Sequence, residues 1–305
     1  MRALREEHRV GVDYLEAVTA LLQRVRSVHP TKGLFEAADL QWWWRTPRST
    51  DDLGQLFWLD HLDRPEAAVI ATAWSDGIGL VPIVMPDATA DWVAHVVERG
   101  LAHVVECGFG DVDLEVDLAD DVMREVLIGL GFAIDEDGTD GVSASVSVVE
   151  AWLAANARPE ISPLHESYRL SSRVDTMPRP HHMIQRSGPD VETRLGQTSL
   201  YRPEFDLLVL DRRDEVAAYG LFWFDAETAT GLVEPMRTED EHQRQGLARH
   251  ILSAGIDLLA EAGAERIKIC YEPDNPASSA LYLGVGFEPV KQTVVFSRRA
   301  GARAS

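Results

Sequence analysis

The sequence predicts an α/β protein made of two similar halves. Three observations predict it. The chain has 305 residues, 45% of them hydrophobic, which is enough for two separate cores at about 100–200 residues per domain. Strand-like and helix-like apolar patterns alternate along it. The order of those patterns (strands, helix, strand, helix, strands) also occurs twice, on either side of a break with two prolines, Ala-Ala-Asn-Ala-Arg-Pro-Glu-Ile-Ser-Pro-Leu-His-Glu over 154–166. The expected organisation is a domain over 1–153, a linker over 154–166 and a second domain over 167–305.

In the first half, Tyr14–Val28 sets Leu15, Val18, Leu21, Leu22 and Val25 at helical spacing, and a second helical stretch covers Leu34–Trp44. Gln55–Leu59, Ala67–Trp74 and Ile78–Met85 read as strands. Trp92–Val105 reads as a helix, Val112–Leu118 as a strand and Asp120–Gly129 as a helix, with Phe132–Ile134 and Val142–Val148 as closing strands. The second half opens with a strand at Tyr168–Ser171 and a poorly defined helical region over Thr176–Ser199. Strands follow at Phe205–Leu210, Glu215–Phe224 and Thr230–Arg237. Gly246–Ala262 is a helix with Leu247, Ile251, Leu252, Ile256 and Leu259 on one face. Strand Arg266–Tyr271, helix Asn275–Val285 and a strand pair, Phe287–Val290 and Thr293–Ser297, complete it. Trp42-Trp43-Trp44 point in three directions on one helix. Two are expected to pack against the sheet or the other half, and the third to pack between the halves, with an acceptor pocket as its other reading.

Charge narrows the function classes. The chain carries 29 basic and 50 acidic residues, net −21, with only three lysines, Lys32, Lys268 and Lys291. A nucleic-acid surface needs clustered cations, so no nucleic-acid partner is expected. The excess is uneven, −17 over residues 1–150 and −4 over 151–305. The second half is therefore the one that tolerates an anionic ligand. The acid-rich first half favours a cationic acceptor. The charged N-terminus has no apolar stretch behind it and no run reaches the ~18 apolar residues of a membrane span. A cytoplasmic protein without a membrane partner is expected. Cys107 and Cys270 read as small core residues rather than a disulfide. No cluster has metal-ligand spacing in the sequence, and no metal is expected.

Two motifs carry chemistry. Gln243-Arg244-Gln245-Gly246-Leu247-Ala248-Arg249 lies between a strand and a long helix. Its small residues leave the first turn unobstructed, so free N–H groups and the positive end of the helix dipole face a phosphate, with Arg244 and Arg249 adding charge. Asn275-Pro-Ala-Ser-Ser-Ala280-Leu281-Tyr282-Leu-Gly-Val-Gly286-Phe287 begins 29 residues after Gly246. Taken singly, its residues are a cap, a core tyrosine and a C-cap glycine. Together the motifs resemble the GCN5-related N-acetyltransferase (GNAT) family over roughly 167–298. Members carry a Gln/Arg-x-x-Gly-x-Gly/Ala loop and, about thirty residues later, an Asn…Ala…Leu-Tyr…Gly-Phe helix. The repeated order of elements makes the whole chain resemble a tandem, two-copy member, each copy a mixed, mostly antiparallel sheet flanked by helices. Mycothiol synthase is one family with that layout, although nothing in the acceptor-side residues selects it.

The resemblance implies an N-acetyltransferase that moves acetyl from acetyl-CoA to a primary amine on a small molecule or peptide, by direct attack and without a metal. It places the diphosphate on Gln243–Arg249, mostly through backbone N–H groups. It places the pantetheine arm along Met236, Arg237 and Thr238, with the Met236 N–H facing the thioester carbonyl. Asn275 becomes a side-chain contact to the cofactor arm, and Tyr282 the proton donor to the leaving thiolate. Glu234, two residues before Met236 on the same strand face, is the candidate base; its other reading is an ion-paired or solvated strand-end acid. Pro235 beside it marks a break in strand pairing. His181 and His182, in the acceptor segment, are the other base candidates, or exposed loop histidines without a role. A non-catalytic acyl-CoA-binding module is the alternative, and so is a mycothiol-synthase-like enzyme. A monomer or a homodimer fits equally.

The first half lacks these features. Aligning Gly131-Phe132 with Gly286-Phe287 sets Leu127 opposite Tyr282, Asp120 opposite Asn275 and Glu125 opposite Ala280. No glycine occurs between Gly79 and Gly100, where a diphosphate loop would lie, and Asp87 and Asp91 fall in that gap. This copy is expected not to bind CoA productively.

Overall fold

The computed structural model describes residues 4–74, 77–134 and 146–299. The chain forms two compact units, and each takes a segment from the other half of the sequence. Met1–Ala37, Pro47–Val148 and Lys291–Ser305 form the first; Ala38–Thr46 and Val149–Val290 form the second. The division therefore differs from the one expected at 154–166. A proline-rich stretch marks where periodicity stops, whereas compactness is set by strand pairings between residues far apart in sequence.

The first unit contains β1 (Arg5–Arg9), α1 (Gly11–Val28), β2 (Gln55–Leu59), β3 (Pro65–Trp74), β4 (Gly77–Val84), α3 (Ala90–Glu106), β5 (Val112–Asp117), α4 (Asp121–Gly129) and β6 (Ala133–Ile134). α2 (Ala37–Trp44) falls between α1 and β2 in sequence, but from Ala38 it belongs to the second unit. The last strand of the chain, β13 (Glu288–Arg298), returns to pair with β5, Val294 opposite Val116 and Phe296 opposite Leu114, and with β6. The pairs β1–β2, β2–β3 and β3–β4 are antiparallel. β4 and β5 are parallel and pair at Ile78–Val112 and Gly79–Asp113. Val96, Val97, Leu114, Val294 and Phe296 lie in the core. Val142–Val148, expected as a strand, falls mostly outside the described residues, and Val146–Val148 has no regular structure.

The second unit contains β7 (Val149–Ala154), β8 (Arg169–Ser172), α5 (Arg173–Thr176), α6 (Ile184–Ser187), α7 (Val191–Leu195), β9 (Asp206–Leu210), β10 (Val216–Asp225), β11 (Thr230–Thr238), α8 (Leu247–Glu261), β12 (Arg266–Tyr271) and α9 (Pro276–Leu283). Its sheet runs β8–β9–β10–β11–β12–β7, antiparallel except for β11–β12. Both units are thus mixed, mostly antiparallel sheets flanked by helices, as expected. The apolar pattern does not reveal β1 or β7, and the two expected closing strands are one strand, β13.

α8 lies close over β10 because glycines remove the side chains between them. A Cβ on Gly255 would come within 2.1 Å of the Phe222 ring, and one on Gly220 within 2.8 Å of Ile251. Leu247, Ile251, Leu252, Ile256 and Leu259 are all buried, each worth about 1.5–3 kcal/mol. The tryptophan run packs inside the second unit. The Arg45 guanidinium stacks 3.4 Å over Trp42 and that of Arg194 3.7 Å over Trp44. Trp44 Nε1 donates to Gln197 Oε1 at 2.8 Å. The contacts of Arg194 and Gln197 hold α2 against α7 and the residues after it, within the expected helical region over Thr176–Ser199, which contains two short helices, α6 and α7.

Candidate active site

Parallel pairing of β11 with β12 runs from Thr230–Arg266 to Val233–Ile269 and then stops. β11 continues through Thr238, so Glu234, Pro235, Met236, Arg237 and Thr238 border an opening between the two strands. The break coincides with a bulge against β10, where Phe222 faces Val233 but Gly220 faces Met236. The break that Pro235 suggests is present. The simple alternation that would put Glu234 and Met236 on one face does not run through it, because the bulge inserts a residue. The Glu234–Pro235 peptide is cis, and Trp223 Nε1 donates to the Glu234 carbonyl at 2.8 Å.

α8 starts at one end of this opening. Gly246 is its N-cap with φ +80° and supplies no capping side chain. Gln243, Arg244, Gln245 and Gly246 are exposed, Leu247 is buried and Ala248 half-buried. Among the described residues, no carbonyl or side chain accepts from the amides of Arg244–Ala248. This is the arrangement of an anion-binding helix start. The flanking side chains are less free than the sequence suggests. Arg249 Nη2 donates to the Gly284 carbonyl at 2.7 Å, tying α8 to the end of α9. Gln243 Nε2 donates to Asp240 Oδ1, which also takes Arg237 Nη2. Asn275 caps α9 through the Ser278 amide at 3.2 Å.

α9 carries Tyr282 into the same region, buried against Tyr271 and Phe287. Burial, and then the nearby Glu234 carboxylate, push its hydroxyl up to about 12. Glu234 is itself pushed up to about 8, by burial first and by the like charge of Asp39 next, against the pull of Arg45 and Lys268. The sequence reading misses Asp39, Arg45, Lys268 and Glu150. Lys268 is buried on β12; its Nζ lies 3.0 Å from Asp39 Oδ2 and 3.8 Å from Glu150 Oε2. Glu150 Oε1 accepts from Trp152 Nε1 at 2.7 Å. A usable signal exists: Ile267-Lys268-Ile269 places one of three lysines inside an apolar strand. Such a cation requires a buried acid partner.

His181 and His182 are not exposed. Both are buried beside Asp206, with His181 Nε2 3.1 Å from Oδ2 and His182 Nε2 3.2 Å from Oδ1. Tyr201 also donates to Oδ2, at 2.9 Å. Burial alone would raise the Asp206 carboxyl, but the two histidines hold it well below the usual range. The three residues present potential ligand atoms within 4.8 Å of one another. However, His181 Nδ1 accepts the Met183 amide. Its proton therefore sits on Nε2, directed at Asp206, and His181 acts as a donor rather than a ligand.

The first unit has a counterpart to the opening. Where β4 and β5 part, a cavity of about 470 Å³ is lined by Leu22, Phe35, Leu80, Val84, Leu114 and Met123 among others. The helix start beside it differs. The Thr89 side chain caps α3 by accepting from the Trp92 amide at 3.3 Å, and Asp120 caps α4. Leu127 is fully buried.

Residues 168–287 match the acetyltransferase (GNAT) family model. Along almost the full chain (99%, and 100% of the other), the structure superposes on a tandem GNAT protein from the clavulanic acid biosynthesis pathway, with a TM-score of 0.67 at 14% identity. The chain has the fold of a tandem GNAT protein. A GCN5-related N-acetyltransferase from Sphaerobacter thermophilus gives a TM-score of 0.60 at 12% identity, covering 97% of this chain and 96% of that one. In sequence, the chain is 32% identical over 105 residues to the mycothiol acetyltransferase of Kocuria rhizophila, covering 32% of this chain and 34% of that protein. It is 31% identical over 178 residues to that of Clavibacter michiganensis subsp. michiganensis, covering 58% and 51%. The matches thus span between a third and about half of those relatives' own lengths. The GNAT domain at 168–287 contains the β11–β12 opening, the α8 start and Tyr282. No helix among the described residues is long and apolar enough to cross a membrane.

Proposed function

We propose that the second unit is an acetyl-CoA-dependent N-acetyltransferase acting on a primary amine of a small molecule or peptide. The observation that carries this reading is the uncapped start of α8, which follows the stretch of β11 that has left β12 and is tied through Arg249 to the end of α9, the helix that bears Tyr282. In this reading the amides of Arg244–Ala248 hold the diphosphate, and Met236–Thr238 border the pantetheine arm. The Met236 N–H faces the thioester carbonyl; such a donor is worth about 3 kcal/mol in other enzymes. Glu234 takes the proton of the incoming amine and Tyr282 protonates the departing thiolate. Asn275 orients α9 through its cap. The first unit, in which Thr89 and Asp120 cap the starts of α3 and α4, does not take the cofactor productively.

The direct test is release of CoA thiol from acetyl-CoA over a panel of primary amines. Turnover supports the enzyme reading; tight acetyl-CoA binding with no turnover on any amine favours the non-catalytic binding module. The identities to mycothiol acetyltransferases favour, as a second reading, an acceptor shared with those enzymes, and including that acceptor in the panel decides it.

Two variants sharpen the test. Gly246→Ala puts a side chain on a residue at φ +80°, a strain of about 1–2 kcal/mol, on the surface meant for the diphosphate. Calorimetry should show acetyl-CoA affinity reduced at least about tenfold, with melting lowered by only a few degrees. Glu234→Gln addresses pH. A base raised to about 8 is protonated and idle below that value, so kcat/KM should rise with pH and level off above it. The glutamine variant should lose that rising limb along with most of its activity.

A further inference from the structure

The cavity where β4 and β5 part lies wholly within the first unit. Past the pairs Ile78–Val112 and Gly79–Asp113, the two strands run on to Val84 and Asp117 and form two of its walls. α1 contributes Leu22, α3 Val93 and α4 Met123, and Phe35 comes from the segment after α1. Leu22, Val93 and Leu114 are buried, and Phe35, Val84 and Met123 are half-buried. Most of the lining side chains are apolar. At about 470 Å³, the space falls in the range of about 300–1,000 Å³ typical of small-molecule sites.

Six charged residues also line the cavity, and each is already engaged with the protein. Lys32 Nζ donates to the Pro86 carbonyl at 2.6 Å, and Lys291 Nζ to those of Thr31 and Gly33 at 2.5 and 2.7 Å. Glu115 accepts from Thr293 Oγ1 at 2.5 Å, Asp117 from the Ala119 amide at 2.9 Å and Asp120 from the Met123 amide at 3.0 Å. Asp121 pairs with Arg124 at 3.2 Å. A charged ligand would therefore give up its hydration without gaining a dedicated partner, and four of the six groups are acids that repel a diphosphate. Carbon surface is what remains to recognise a ligand. Phe35 offers a ring face, and Met85 and Met123 are adaptable thioethers that favour contact with aromatic rings. We propose that the first unit binds a small uncharged aromatic molecule in this cavity. The copy without a diphosphate loop thus has a ligand of its own, recognised by shape and not by charge.

The test is fluorescence titration of the full chain with N-phenylnaphthylamine, an uncharged aromatic probe that brightens in apolar surroundings. One equivalent should bind saturably, with or without saturating acetyl-CoA. Val84→Trp, which fills the cavity from a half-buried position on β4, should weaken that binding at least about tenfold. Anilinonaphthalene sulfonate, a related ring system with a negative charge, should bind at least about tenfold more weakly than the uncharged probe. Absence of saturable binding overturns the proposal. Displacement by acetyl-CoA also overturns it, because the probe would then share the cofactor's site, and so does binding unaltered by Val84→Trp. Equal binding of the sulfonate overturns the assignment of an uncharged ligand. Should Val84→Trp fail to fold, Met123→Trp fills the same space from α4 and is held to the same tenfold loss. Failure here leaves the acetyl-transfer reading standing, since CoA release tests that reading and it uses no residue of this cavity.

Discussion

Tyr282→Phe is expected to lower turnover about a hundredfold or more while leaving acetyl-CoA affinity within about twofold. The ring is buried between Tyr271 and Phe287, and phenylalanine keeps that packing. What is lost is one hydroxyl. At about 12 it is fully protonated at neutral pH, so it serves as a donor and not as a base. General acids of this kind contribute about 10²–10⁴ in rate. Affinity should hold because the diphosphate site proposed above is built from the amides of 244–248. Steady-state kinetics paired with calorimetry checks both halves of the expectation. A variant with normal turnover removes Tyr282 from the mechanism, and one with normal turnover but weak binding makes it a cofactor contact instead.

The second large effect is on stability. Lys268→Ala leaves Asp39 and Glu150 buried without the ammonium between them. Breaking a buried pair by removing one partner costs about 3–5 kcal/mol, a large share of the 5–15 kcal/mol that stabilises a typical domain. Urea unfolding followed by tryptophan fluorescence should show a lower midpoint, because Trp152, bonded to Glu150, reports on this region. A shift below about 1 kcal/mol would mean that water reaches the acids.

The elements whose own side chains form one apolar face are legible in the sequence. α8 shows its 3.6-residue stripe, β9 and β10 show short apolar runs bounded by turn residues, and the Gly246 loop is legible because only glycine suits φ +80° without strain. Pairings across long stretches of sequence are not. Lys268 finds Asp39 at a separation of 229 residues, and no local pattern encodes that distance. β7, which the apolar pattern does not reveal, falls at the end of the expected first domain although it pairs with β12. The histidine pair reads as exposed loop because its partner, Asp206, stands at the head of a strand more than twenty residues later. Glu234 stands out by its position on the strand, and the bulge that separates its face from that of Met236 carries only one hint, the proline beside it.

The return of β13 to the first unit has a consequence for synthesis. Domains usually fold from the N-terminus as they leave the ribosome. Here β5 keeps an open edge until residue 298 has been made, whereas α2 is available early and waits for the second unit to form around it. A gene cut at residue 153 would deliver a leading fragment with an unpaired edge strand, prone to aggregation, and a trailing fragment without Asp39 and Trp42. The two copies can be told apart by fold, but they mature as one piece.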